Sequence, residues 1–237
     1  MRFQDAARDA RAVVYAGIQS DPLVARAAAA LADASPEMRL MARAAMNGER
    51  EDPAIWRTMF PTLLGPGASE ATRERAEAVL GPALEIGAKA HAARDQYRGA
   101  VVEELTAHLL GRRSTAVRRE RRVLFDGVPA EIHPYDVTVE TDGRPEVYDC
   151  KWGARGIVDD VLHQLDDARA HAADEDIAVP VALVVFDTAR SCAVRLDRSY
   201  APRHGTALVT LETIADLAVA APPPGDPSVS DGRAAGS

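Results

Sequence analysis

Between two strand-like runs, EVYDCK at 146–151 and VPVALVVFD at 179–187, the chain places a helical pattern, IVDDVLHQLDDARAHAA. Ile157, Val158, Val161, Leu162, Leu165 and Ala168 fall on one face of that helix. Asp159, Asp160, Asp166 and Asp167 lie largely opposite, as a solvated face would. The run at 179–187 is continuously apolar, the pattern of a strand buried on both faces. A helix joining two such strands is the crossover that parallel pairing requires, so this part of the chain predicts an α/β unit.

Upstream, RRVLFDGVPAEIHPYDVTVETDGRPEVYDCKWG holds short β-rich runs parted by Asp-Gly turns at 126–127 and 142–143. A helix over about 82–110 precedes them, so the order from residue 82 is helix, three strands, helix, strand. Beyond 187, CAVRLD and HGTALVTLETIADLA are read as adding another strand, CAVRLD, and a closing helix.

The first ~95 residues read as helices. AARDARAVVYAGI, PLVARAAAALADA and EMRLMARAAM are Ala-rich, and Asp21-Pro22 and Ser35-Pro36 look like capped helix starts. A further helix runs from about Ser69 to Leu80, where Gly81-Pro82 is expected to stop it. The expected organisation is therefore a helical N-terminal region over 1–95, a mixed domain over 96–218, and a Pro/Gly/Ser-rich disordered tail over 219–237. At 47% hydrophobic residues the chain can bury a real core. Its net charge of −8 argues against indiscriminate coating of nucleic acid, though not against a local basic patch. Cys150 and Cys192 form no paired motif, and no apolar run approaches the length of a membrane span, so a reduced, cytoplasmic setting without membrane contact is expected.

Lysine is rare here. Among 28 Lys+Arg residues only Lys89 and Lys151 are lysines, and Lys151 lies in a strand-like segment two residues after Asp149. Side chains two apart on a strand share a face, which Cys150 does not. Asp136 ends HPYD on the preceding strand-like run. In a hairpin of 136–140 with 146–151, Asp136 and Asp149 can meet across the strands. Two carboxylates at close range repel unless a cation sits between them, and oxygen donors of this kind suit Mg²⁺ or Mn²⁺. Glu103 on the preceding helix offers a third carboxylate, with its neighbour Glu104 facing solvent, and the Cys150 carbonyl is a further donor. Gln164 on the following helix is placed to order water or touch a phosphate. A compact ammonium at 151 can hold or deprotonate an attacking water and stabilise developing negative charge, roles for which a permanently charged, planar guanidinium is ill suited.

Taken in order, Glu103, HPYD ending at Asp136, a turn, Asp149 and Lys151 in EVYDCK, then Gln164, the pattern resembles the PD-(D/E)XK nuclease superfamily. The resemblance covers roughly residues 96–188, somewhat under half the chain. It implies an α/β fold with an αβββαβ restriction-endonuclease-like core, joined to an all-helical N-terminal region. It implies Asp136 and Asp149 as metal ligands, Lys151 as catalytic lysine, Glu103 as the acid of the first helix and Gln164 as the polar residue of the second. The residue before Asp136 is Tyr135, with Pro134 one earlier, so the first two letters of the family name are not literally met. The implied reaction is phosphodiester hydrolysis with Mg²⁺ or Mn²⁺, most often of DNA, in settings that include defence against foreign DNA. Two other readings stay open: a catalytically silent, nuclease-like assembly or nucleic-acid-binding subunit, and an RNA-cleaving enzyme of the same fold. The N-terminal helices are expected to dock on the core, dimerise or bind a partner.

GRRSTAVRRERRV at 111–123 carries Arg112, Arg113, Arg118, Arg119, Arg121 and Arg122 against Glu120. These arginines either contact nucleic-acid phosphates or pair with this acidic chain's own carboxylates. Arg155, four residues after Lys151, is a further phosphate contact under the first reading. The histidines make no metal spacing such as HExxH, and Ser191-Cys192 has no partnered base in sequence.

Overall fold

The computed structural model describes residues 2–6, 10–48, 52–129, 133–142, 144–177, 179–198 and 207–222. Gly143 and the greater part of the expected tail, 223–237, lie outside the described residues. The chain divides into two compact units, Arg8–His108 and Met1–Ala7 with Leu109–Ser237. The expected boundary near residue 95 is thus found further along, and the first residues go with the sheet.

The first unit is helical. It comprises α1 (Ala10–Gln19), α2 (Pro22–Ala32), α3 (Pro36–Met46), α4 (Pro53–Met59), α5 (Pro61–Leu64), α6 (Glu70–Gly87) and most of α7 (His91–Gly111). Asp21 and Ser35 accept hydrogen bonds from Leu23 N and Met38 N, so both expected caps are formed, with proline at the first turn. Buried Arg39 donates to the carbonyls of Leu31 (3.1 Å) and Ala32 (3.2 Å), satisfying the C-terminal end of α2. Gly81-Pro82 does not stop the helix as expected. Ala76, Val79, Leu80, Ala83 and Ile86 continue one buried stripe through it, and that burial outweighs the roughly 3 kcal/mol that an interior proline costs. α6 ends instead at Gly87, where an added Cβ would stand 2.3 Å from the Ala45 carbonyl oxygen. Lys89 lies over the Tyr97 ring, 4.2 Å from its centroid, and Tyr97 donates to Asp21.

The second unit is a mixed sheet with helices. Its strands are β1 (Arg2–Asp5), β2 (Val117–Phe125), β3 (Val128–Pro129), β4 (Tyr135–Val139), β5 (Glu146–Lys151), β6 (Val181–Val185) and β7 (Ala207–Thr210), in the spatial order β1-β2-β4-β5-β6-β7 with β3 paired to β2. The β1–β2, β2–β4 and β4–β5 pairs are antiparallel, and β5–β6 and β6–β7 are parallel. Asp126 (φ 49°) and Gly127 (φ 80°) form the β2–β3 turn with both central residues left-handed, the form that matches the strand twist. The fold is mixed α/β, and the helix α8 (Asp159–Asp174) makes the expected crossover from β5 to β6. Leu162, Leu165, Ala168 and Ala172 of α8 pack with Val147, Val181, Leu183 and Val185 of the sheet. All five residues of β6 are buried, as its unbroken apolar run predicts.

Two further expectations fail. RFQD, read as part of the helical region, is the edge strand β1. CAVRLD, read as a strand, lies mostly in helix α9 (Ala189–Leu196), which crosses from β6 to β7. Thr188 caps that helix through Ser191 N, Cys192 turns inward, and Val194 is left 46% exposed. The apolar alternation at 192, 194 and 196 did not mark a sheet face. No described helix is long and apolar enough to cross a membrane.

Candidate active site

The β4–β5 register pairs Thr138 with Val147 and Val137 with Tyr148. Continued by one residue, it sets Asp136 opposite Asp149. Asp136 Oδ2 accepts from the Cys150 backbone N–H at 2.6 Å. Asp149 Oδ1 accepts from Lys151 Nζ, also at 2.6 Å, which confirms that residues 149 and 151 share a face. The Lys151 side chain keeps 27% of its exposure and that of Asp149 only 10%. Burial by itself drives Lys151 towards neutrality. The charges of Asp136 and Asp149, the latter also through its hydrogen bond, outweigh this and hold the amine above the ordinary lysine range. In this arrangement Lys151 carries its proton and donates it in the hydrogen bond to Asp149.

Strand β2 is irregular beside this pair. Glu120 adopts φ 51° between the partners Arg119↔Val137 and Arg121↔Tyr135, directly across from Asp136. A left-handed non-glycine residue within a strand stores about 1–3 kcal/mol, strain of a kind that collects near functional sites.

Lys151 is followed by a turn that folds back on it. The 3-10 segment Ala154–Gly156 starts with the Gly156 N–H bonded to the Gly153 carbonyl at 2.8 Å. Buried Asp187, at the end of β6, accepts from Ala154 N (3.1 Å) and Thr188 N (2.8 Å). The Phe186 N–H donates to the Lys151 carbonyl at 2.9 Å, tying the lysine's backbone to β6. On the other side of β5, the Cys150 N–H points to Asp136. A strand residue directs its N–H and C=O to the same neighbour, so the Cys150 carbonyl also faces β4. Its thiol is buried and takes part in no disulfide.

The other expected residues are distributed differently. Glu103 belongs to the helical unit, where Tyr15 Oη (2.5 Å) and Gln19 Nε2 (2.7 Å) of α1 engage its two carboxylate oxygens. Gln164 is buried on α8. Its Nε2 donates to the His133 backbone carbonyl at 3.0 Å, and the Gln164 backbone carbonyl accepts from Tyr135 Oη at 3.3 Å. It thereby anchors the entry to β4, where a contact with water or phosphate was expected.

Chemistry available at the Asp136–Asp149–Lys151 cluster is limited by its donor set. Among the described residues no group of three His, Cys, Asp or Glu side chains is placed to hold a metal ion. Two facing carboxylates with a backbone carbonyl nonetheless fit Mg²⁺, which commonly takes one or two carboxylates and fills its octahedron with water and substrate oxygens. Compared with family models, with curated proteins and with solved structures, the chain matches none.

The basic run is not a free-standing turn. Most of it is strand β2, and two of its arginines are internal. Arg113 donates to Glu146 through Nη1 (2.8 Å) and Nη2 (2.5 Å), to the Leu217 carbonyl through Nε (2.8 Å), and to Tyr148 Oη (3.2 Å). Tyr148 in turn donates to Glu146, which is buried. Arg121 clasps Glu140 through Nε (2.5 Å) and Nη2 (3.2 Å) and pairs with Asp5 on β1. Both take the alternative in which the chain's own carboxylates are the partners. Arg112, Arg118 and Arg155 are exposed, Arg119 and Arg122 are half-buried, and Arg118 donates to the Thr115 and Val117 carbonyls.

Gly156, Asp187, Glu146 and Tyr148 shape the site and its strand without having been singled out by sequence. Asp187 had a signal in the chain: an aspartate closing an unbroken apolar run must be accounted for by hydrogen bonds.

Proposed function

We propose that this chain is a metal-dependent nuclease with a restriction-endonuclease-like core, hydrolysing phosphodiester bonds. The observation that carries the reading is that Asp136 and Asp149 lie on adjacent strands, each next to a residue of the Val137–Tyr148 pair, with Lys151 hydrogen-bonded to the second. The order α7, β2, β4, β5, α8, β6, with β5 and β6 parallel, agrees with it. Asp136 and Asp149 would hold the metal, with the Cys150 carbonyl beside them. A bound Mg²⁺ or Mn²⁺ supplies charge neutralisation for the scissile phosphate. Lys151, as a protonated donor, orients water and stabilises negative charge arising at phosphorus. Asp149 aims the ammonium, and Gln164 fixes the entry to β4 and so the position of Asp136. DNA is the expected substrate, because nucleases of this kind cut DNA most often, and the exposed arginines offer phosphate contacts.

Purified full-length protein, incubated with plasmid, single-stranded DNA and RNA in Mg²⁺, Mn²⁺ or EDTA, tests the reading. Cleavage of DNA that requires metal is expected, with Lys151→Ala slower by about 10²–10⁴-fold. Arginine at 151 should not restore it. Cleavage in EDTA, or an unimpaired Lys151→Ala, would sink the mechanism. Cleavage of RNA alone would move the substrate, and no cleavage of any substrate would favour an assembly role.

A further inference from the structure

The turn after β5 presses against the aliphatic stem of Lys151. A methyl group built on Gly156 would stand 2.9 Å from Lys151 Cβ and 3.1 Å from both Cγ and Cδ. Contacts at 2.9 Å are essentially never made by real side chains, and here three successive carbons of one stem are met at once. The stem therefore lies along the turn's backbone, in the space that any other residue at 156 would fill.

The turn itself is held from three sides. Ala154 N is bonded to Asp187, which also accepts from Thr188 N, while the Asp187 carbonyl accepts from Leu211 N (3.0 Å). Arg195 Nε of α9 donates to the Ile157 carbonyl at 3.0 Å. The side chain of Ile157 is fully buried in the core between α8 and the sheet. A turn fixed in this way cannot retreat from an added methyl group, so the flexible lysine stem is what would move. Four methylene groups separate the backbone from Nζ, and an unconfined lysine loses its pointing direction through their rotations.

We propose that Gly156 is a positioning residue for Lys151: with the Asp187-anchored turn it confines the lysine stem and so aims Nζ at Asp149. The residue touches no substrate and acts only through the lysine. Its catalytic consequence rests on the nuclease reading, whereas its structural consequence does not.

The chain's two lysines make the test direct. Full-length protein labelled with ¹³C at lysine gives Cε–H signals for Lys89 and Lys151 alone, and Lys151→Arg assigns them. In Gly156→Ala the Lys151 signal is expected to move by more than its linewidth while the Lys89 signal stays. Asp187→Asn adds no volume and keeps only one carboxylate-like acceptor, so it should shift the Lys151 signal in a fold that is retained. This second variant decides the matter if Gly156→Ala does not fold. A Lys151 signal unmoved in the variants that fold overturns the proposal. On the kinetic side, Gly156→Ala should lower kcat for DNA cleavage by up to about 10²-fold with KM held. A rise in KM with kcat intact would overturn it. If the wild type cleaves nothing, the nuclease reading fails, and the lysine signals still decide the role of Gly156.

Discussion

Two groups of charge sit on β5, one at each end, and they are balanced differently. At its start, Arg113 meets Glu146 and Tyr148. Guanidinium Nε, Nη1 and Nη2 all donate, both carboxylate oxygens accept, and one positive charge answers one negative. At its end, Asp136 and Asp149 share Lys151, two carboxylates to one ammonium. The first group is closed and its charges are spent within the fold. The second sets two carboxylates beside one ammonium where water is partly excluded, and under the proposed function this is where a further cation would bind. Counting arginines or acids along the chain cannot separate such cases; counting satisfied partners can.

The largest expected effect is at the closed end. Arg113→Met should lower stability in urea denaturation by about 3–5 kcal/mol, because it strands Glu146 as a buried, unpaired charge. Removing both partners, as Arg113→Met with Glu146→Leu, should recover most of that loss. If it does not, the pair is more than a matched charge. At the open end, saturating Mg²⁺ should stabilise the wild type by about 2.7 kcal/mol at a hundred times its Kd. In thermal melts that gain should be larger in Lys151→Ala, where no ammonium competes, and absent when Asp136 and Asp149 are both changed to Asn. Mg²⁺ without effect on any of the three would erase the distinction between the two ends.

A smaller effect is expected in alkali. Burial first, then the Glu146 charge, pushes the Tyr148 phenol well above its ordinary value. Above pH ~10 the unfolded chain releases that proton and the folded one keeps it, so stability falls as pH rises, by about 1.4 kcal/mol per unit. Denaturation between pH 9 and 11 should show this slope in the wild type and a shallower one in Tyr148→Phe. Smallest of all, Asp5→Ala should leave stability within the error of urea denaturation. The Asp5 side chain is 92% exposed and is only the outer partner of Arg121. A measurable loss there would mean that β1 depends on this ion pair.

The parts of the molecule whose signals are local are legible in its sequence. The apolar stripe of α8, the unbroken run of β6, and the proline-flanked caps at Asp21 and Ser35 are each decided by neighbours within one segment. The pairing of Asp136 with Asp149 was legible because a hairpin fixes register over a short loop. What escaped depends on distant partners. RFQD is too short for any periodicity and becomes a strand only because β2 offers it an edge. Glu146 claims Arg113 across 33 positions, and Glu140 claims Arg121 across 19, so neither arginine could be told from a surface cation by composition. Gly156 shows its purpose only when the stem of Lys151 is seen lying against it.

The pairing of Arg2 with Leu124 has a consequence during synthesis. β1 emerges from the ribosome roughly 120 residues before the strand it joins, a wait of about 6–24 s at ordinary elongation rates. Throughout that interval all the helices of the first unit can form, while an unpaired strand waits beside them. A long apolar strand left in that state would invite association with other nascent chains; four residues, two of them charged, are a poor template for it. The β1 edge of the sheet can close only after the helical unit has been made, which gives assembly of this protein an order in time.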